Sequence, residues 1–274
     1  MRVAVTHLSR LDYDGDIVES VMDVRLGPLE DPHQHIEQFS LRIEPGGHAR
    51  RYVDGYGNAG HLLTSMRPHA YLQVAARSDV RTLLSDPFAL PDAAPPPLSP
   101  MERADYLDPS PLVPRLESLE RMAAPFAAGD FDAVRGLSEM IYRGFAYQQG
   151  VTDVSTSVEQ IIDGRQGVCQ DFAHLLIGLC RAIGVPARYI SGYIVQSHDS
   201  PRRGAGASHA WAEAYTPSHG WRGFDPTNNL VANEHYVKIA IGRDYADVPP
   251  TRGTFRGSAN ESLAVSVTTE ILEA

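Results

Sequence analysis

Along this chain the spacing of hydrophobic positions changes period twice, and the changes divide it. Over roughly the first 85 residues the period is two. Val18, Ser20, Met22 and Val24 alternate with Glu19, Val21, Asp23 and Arg25; Phe39, Leu41 and Ile43 repeat the pattern, as do Leu72, Val74 and Ala76. Turn formers separate the runs, in Glu44-Pro45-Gly46-Gly47 and Asp54-Gly55-Tyr56-Gly57-Asn58. Short alternating runs divided this way predict an antiparallel β-sandwich over residues 1–85. Next, Asp86 to Pro114 holds nine prolines, including Pro95-Pro96-Pro97. Each fixes φ and removes an N–H donor, so the stretch predicts neither a regular helix nor an inner strand. Residues 86–110 read as a connector laid along the surface of the second domain.

From about residue 111 the period becomes helical. Leu116, Leu119, Met122 and Ala123 share a face, as do Val134, Leu137, Ile141 and Phe145. The strongest helix runs from Cys169 to Ile183, with Phe172, Leu175, Leu176, Leu179, Cys180 and Ile183 as its apolar stripe. Gly184 supplies a left-handed stop and Pro186 prevents continuation. The period then returns to two in Pro186–Val195, Ser208–Tyr215 and Trp221–Asp225, with Thr216-Pro217-Ser218-His219-Gly220 as the turn between the last two. Ser262–Val267 offers a late strand. Residues 111–274 are therefore expected to form an α+β unit with a C-terminal tail.

Composition narrows the function. Hydrophobic residues make up 43% of the 274 and charged residues 21%, ordinary for a globular chain. The formal net charge of −10, with basic pairs only at Arg50-Arg51 and Arg202-Arg203, argues against nucleic acid as a partner. No run approaches the roughly 20 apolar residues of a membrane span. The opening residues turn polar too soon for a signal peptide. Two cysteines are too few for a disulfide scaffold. These features predict a reduced, cytoplasmic protein with no membrane partner; they say nothing of oligomeric state.

Candidate chemistry centres on Cys169, which opens the strongest helix. A thiol there lies in the positive end of the helix dipole, beside backbone N–H groups that lack helical partners. Both favour thiolate, and the same N–H groups can receive an oxyanion. Gly167 would let the backbone turn and keep bulk from the sulfur. Alone, such a cysteine is as often a buried structural thiol. Cys180 lies roughly 16 Å further along the axis, on the apolar stripe, and reads as core. His209 sits on the second of the three predicted strands and Asp225 ends the third. A hairpin folded about Pro217 would set them opposite each other; folded about Ser218, it would make them diagonal neighbours. Both registers put them on one face. Each alone is more often a packed histidine or a turn aspartate, but together the three residues supply nucleophile, base and orienting acid. His174 reads as a packing residue. His33 and His35 are a weak metal pair, no cluster has zinc or calcium spacing, and no organic cofactor is required. Gly204-Ala205-Gly206 reads as a flexible surface loop without a P-loop lysine. Gly242-Arg243-Asp244-Tyr245 reads as a polar turn.

At these residues the chain resembles the transglutaminase-like superfamily. The matching segments are Gly164-Arg165-Gln166-Gly167-Val168-Cys169-Gln170-Asp171-Phe172-Ala173-His174, Arg181-Ala182-Ile183-Gly184-Val185-Pro186-Ala187-Arg188-Tyr189, Ser191-Gly192-Tyr193, His209-Ala210-Trp211 and Gly220-Trp221 leading to Asp225-Pro226-Thr227-Asn228. Phe145-Ala146-Tyr147 upstream and Gly242 to Pro250 downstream are also similar, and the first 85 residues resemble the β-rich region that precedes this core in bacterial members. The resemblance implies a papain-like α+β core after the sandwich, with Cys169, His209 and Asp225 as a catalytic triad and Tyr147 as a neighbour that contacts substrate. It implies a peptide or protein substrate, taken by a cysteine peptidase or amidase, by a transglutaminase, or by a silent binding module on the same fold.

Overall fold

The computed structural model describes residues 1–154, 156–196, 202–204 and 206–273. Six strands come first: β1 (Arg2–Ile17), β2 (Glu19–Val24), β3 (Gln34–Glu44), β4 (His48–Val53), β5 (Ala59–Ser65) and β6 (His69–Thr82). The alternation expected from the sequence is realised, since Ser20, Met22 and Val24 of β2 and Leu72, Val74 and Ala76 of β6 point inward. With Leu11, Ile17 and Leu63, the apolar members of this set form one core between two sheets.

The core segment contributes α1 (Pro100–Leu107), α2 (Glu117–Ala123), α3 (Phe131–Gly144), β7 (Ala146–Tyr147), α4 (Val158–Gly164), β8 (Gln166–Gly167) and α5 (Cys169–Ala182). Strands β9 (Ala187–Ile194), β10 (His209–Thr216), β11 (Gly220–Asp225), β12 (Leu230–Val231) and β13 (Tyr236–Gly242) come next, then β14 (Thr251–Arg256) and β15 (Glu261–Glu273). The sheet of this α+β half is antiparallel, in the order β12-β11-β10-β9-β13. Helix α5 packs against it, and α2, α3 and α4 cover α5. Gly184 (φ +76°) ends α5 as expected, and the Val185 N–H returns to the Cys180 carbonyl at 2.9 Å.

Two expectations are corrected. The proline-rich stretch does hold a helix: Pro100 stands at the first turn of α1, where its missing N–H costs nothing, and Ser99 and Glu102 close a capping box. The rest of the stretch lies along the core, with the Tyr215 hydroxyl donating to Pro96 O at 2.7 Å and Tyr106 buried edge-on against Trp221. Residues 251–273, expected as a tail of the α+β unit, instead complete the sandwich. β14 pairs with β2 and β15 with β1, so the two sheets read β15-β1-β6-β3 and β14-β2-β5-β4.

Sandwich and core share one packed junction. Val3, Val5 and Val80 meet Tyr193, Val195, Val237 and Ile239. Strand β13, the outer strand of its sheet, is capped by amide side chains of the sandwich half. Gln34 donates to Lys238 O and accepts from Lys238 N–H, both at 2.8 Å, and Asn58 does the same with Ile241 at 2.8 Å. Unpaired backbone groups on a sheet edge are thereby satisfied. Lys238 Nζ bridges Asp31 and Glu213. The turn at Arg243–Tyr245 is also more than a polar turn. Asp244, fully buried, accepts from Leu112 N–H at 2.8 Å, and Tyr245 N–H donates to His174 Nε2 at 3.1 Å.

Candidate active site

Cys169 is the first residue of α5 and is half-buried. The helix start is held by Asp171, whose Oδ2 accepts from Val168 N–H at 2.8 Å and from the Thr152 hydroxyl at 2.6 Å. Burial holds the Asp171 carboxyl above its ordinary pKa, against those two donors. A Cβ on Gly167 would stand 2.8 Å from Asp171 Oδ2 and 2.9 Å from its Cβ. The glycine therefore makes room for the carboxylate that caps the helix, rather than for the sulfur. Cys180 is fully buried, and burial pushes its thiol up to about 12.

Parallel pairing of β7 with β8 sets Tyr147 opposite Gly167, and Gln148 N–H donates to Gly167 O at 2.9 Å. Tyr147 is thus delivered beside the Cys169 end of α5. Its hydroxyl pKa is raised by burial and then by the charge of Cys169.

The β10–β11 hairpin pairs Thr216 with Gly220 and Ala212 with Phe224, so it folds about Ser218. His209 and Asp225 are accordingly diagonal neighbours on one face. His209 Nε2 meets Asp225 Oδ2 at 2.9 Å, and both side chains are wholly buried. Asp225 is richly supplied with donors. Its Oδ2 also accepts from Asn228 Nδ2 at 2.8 Å and from the Tyr236 hydroxyl at 2.9 Å. Its Oδ1 accepts from the N–H groups of Thr227 at 2.9 Å and Asn228 at 3.3 Å. Burial alone would raise the Asp225 pKa; His209 and these donors outweigh it, and the pKa is lowered. His209 shows the mirror image: burial opposes its charge, but Asp225 and then Cys169 raise its pKa. With Nε2 committed to Asp225, Nδ1 is the nitrogen left for the thiol, and it is buried without another hydrogen-bond partner among the described residues. The arrangement can hold an imidazolium beside a thiolate and fix the tautomer of the neutral ring.

Tyr236 belongs to no motif read from the sequence. Asn228 lies in a matched motif, but the motif alone does not reveal its role: besides Asp225, its Nδ2 donates to Arg203 O at 3.1 Å and its Oδ1 accepts from Arg203 N–H at 2.8 Å. The other histidines lie apart. His174 is buried against Tyr189 and held neutral, its pKa lowered to about 4 by burial. His33 approaches Arg222 and His35 pairs with Glu30, so the two do not form a metal pair. No cluster of metal-ligating side chains occurs among the described residues, and no helix among them is long and apolar enough to cross a membrane. Of the loop expected at residues 204–206, Gly204 has φ +85° and Gly206 φ +86°, while Ala205 lies outside the described residues.

Comparisons with known proteins place the chain in a family. Residues 120–226 match the family model of the transglutaminase-like superfamily, and residues 3–81 match that of the bacterial transglutaminase-like N-terminal region. An uncharacterised protein of Mycobacterium tuberculosis is 33% identical over 97% of this chain and 91% of its own length. The protein-glutamine gamma-glutamyltransferase of Pseudomonas aeruginosa is 29% identical over 35% of this chain and 16% of its own length. Among solved structures, a proposed cysteine protease from Cytophaga hutchinsonii superimposes with a TM-score of 0.77 at 26% identity, covering 100% of this chain and 92% of that one. With Cys169 at a helix start, an adjacent buried His–Asp pair, and both family models matched in order, the chain belongs to the transglutaminase-like superfamily.

Proposed function

We propose that this protein is a thiol acyl-transfer enzyme that hydrolyses amide bonds of peptide or protein substrates. The observation that carries the reading is the buried 2.9 Å contact of His209 Nε2 with Asp225 Oδ2, which leaves Nδ1 for Cys169. The Cys169 thiolate attacks the amide carbonyl and forms a C–S bond. Oxygen carries the negative charge until the C–N bond breaks, and His209 passes its proton to the departing amine. The N–H groups of the first turn of α5, which have no partner within the helix, are suited to stabilise that charge. A water molecule, deprotonated by the now neutral His209, attacks the thioester, releases the acid and restores the thiol. Asp225 orients the ring throughout, and Tyr147 lines the approach. A reducing compartment such as the cytoplasm suits the reaction, because both thiols are free. The likeness to a proposed cysteine protease over the whole chain supports hydrolysis. The partial match to a protein-glutamine gamma-glutamyltransferase supports a second reading, in which an amine replaces water.

The test uses a peptide library with and without a labelled primary amine, comparing the full chain with Cys169→Ala by mass spectrometry. Cys169-dependent new termini are expected. Ammonia loss with amine incorporation would instead identify a transglutaminase. No Cys169-dependent change would leave only a binding module.

A further inference from the structure

Beside Cys169, His209 and Asp225 lies a charged side chain that they do not use. Arg203 is exposed, yet its backbone is fixed to this group of residues. Its N–H and C=O are both bonded to Asn228, at 2.8 and 3.1 Å, and the same Asn228 amide donates to Asp225 Oδ2 at 2.8 Å. The next residue, Gly204, lies so close to the base that a Cβ there would stand 2.4 Å from His209 Nδ1. The Arg203 guanidinium carbon is 5.6 Å from the ring centroids of both Tyr142 and Tyr147. The Tyr147 hydroxyl in turn feels the charges of Cys169, Arg203 and Asp225. Thiol and guanidinium therefore share one tyrosine as a wall.

Arg188 is matched with Glu213 at 2.6 Å and Arg243 with Asp247 at 2.9 Å. Arg181 and Arg222, which carry no ion pair among the described residues, spend their N–H groups on backbone carbonyls, those of Tyr106, Ala187 and Arg243 for the first and of Pro87, Trp221 and Ala89 for the second. Arg203 makes no ion pair among the described residues, and its Nη1 reaches only Thr227 O, at 3.5 Å. The tyrosine faces hold the cation in place without neutralising it. A planar guanidinium with free N–H groups matches the two oxygens of a carboxylate. On a chain of net charge −10, such an exposed group beside Tyr147 is a local centre of attraction for anions.

We propose that Arg203 is the substrate-anchoring group of this site, binding a carboxylate carried on the acyl part of the substrate close to the scissile carbonyl. The preferred substrates are then acidic acyl donors. The proposal rests on the acyl-transfer reading only for the identity of the bond that breaks.

The experiment compares alkylation of Cys169 in the full chain by iodoacetate and by iodoacetamide, which differ in carboxylate against neutral amide. Rates are tracked by intact mass and peptide mapping. Arg203→Gln should slow iodoacetate roughly three- to ten-fold while changing iodoacetamide less than about two-fold. Arg203→Lys should keep most of the wild-type ratio, and about 0.5 M salt should compress it. Equal slowing of both reagents, or no change in the ratio, overturns the proposal. A second measurement monitors nitrophenol release from the para-nitrophenyl monoester of glutaric acid and from para-nitrophenyl valerate. Arg203→Gln should raise KM for the first and spare the second; the same KM change for both counts against Arg203. Absence of Cys169-dependent release from either ester would refute the hydrolase reading, while the alkylation ratio still decides the role of Arg203.

Discussion

Tyr236 approaches the centre of the site from a strand that carries no recognisable signal, and its hydroxyl shares Asp225 Oδ2 with His209 and Asn228. Those donors disperse the charge of a buried carboxylate, which weakens its pull on the imidazolium. Removing one of them with Tyr236→Phe should leave the fold intact and slow turnover roughly ten-fold. A more localised charge on Asp225 holds the imidazolium more tightly, so the alkaline limb of the pH–rate profile should move up, by as much as about one unit. An unmoved limb would make Tyr236 a packing residue only. Asp225→Asn should cost far more, about three to four orders of magnitude, because tautomer control is lost altogether. Cys169, His209 and Asp225 were legible because each stands at the end of an element whose period is clear. Tyr236 was not, for a physical reason: every residue of β13 is buried, one face against α5 and its surroundings and the other under the sandwich, so the alternation that marks a strand is erased.

Among the elements, α5 shows how far a periodic stripe can be trusted. The stripe from Phe172 to Cys180 predicts a helix with one buried face, and the helix is there. Yet Asp171 to Cys180 is buried all round, because α2, α3 and α4 close over the side away from the sheet. Its start depends on Gly167, whose missing side chain admits the Asp171 carboxylate. Gly167→Ala should therefore destabilise the fold by about 1–3 kcal/mol and loosen the helix start. Gly164→Ala is the control. It lies in α4, and its Cβ would meet nothing nearer than Gln166 Cγ at 3.8 Å, so Tm should hold or rise. Equal Tm values for the two variants would remove the cap argument. The missed helix α1 carries the complementary lesson. Counting prolines forbids a helix interior but not a helix start, and Ser99-Pro100-Met101-Glu102 was a readable capping box.

For the whole molecule, the two halves were visible as two periods, but the return of β14 and β15 to the sandwich was not. Strand pairing between the ends of a chain is a non-local choice, and the outward faces of both strands are largely exposed, so little in their own pattern names a partner. The junction of the halves contains His7, which bonds the Tyr193 hydroxyl through Nδ1 and the Ser9 hydroxyl through Nε2, each at 2.8 Å. Burial lowers its pKa to about 4, as it does for His174 in the α+β half. Both rings are neutral when folded and take a proton near 6.5 when unfolded, so their contribution to stability is whole above pH 6.5 and is lost as pH falls toward 4. His209 has the opposite sign. Its pKa is raised, so its contribution is whole below 6.5 and is lost as pH rises from there through the folded value; it adds nothing to the acid loss. Glu213, lowered to about 2 despite burial by Lys238 and Arg188, begins to count only below 4.5. Urea unfolding should therefore show a loss of about 2 kcal/mol per histidine between pH 7 and pH 5. His7→Gln keeps an acceptor for Tyr193 but takes no proton, so its loss over that interval should shrink by about 2 kcal/mol. If the variant loses as much stability as the wild type, His7 is not the junction's acid-sensitive contact, and the acid loss must come from elsewhere in the molecule.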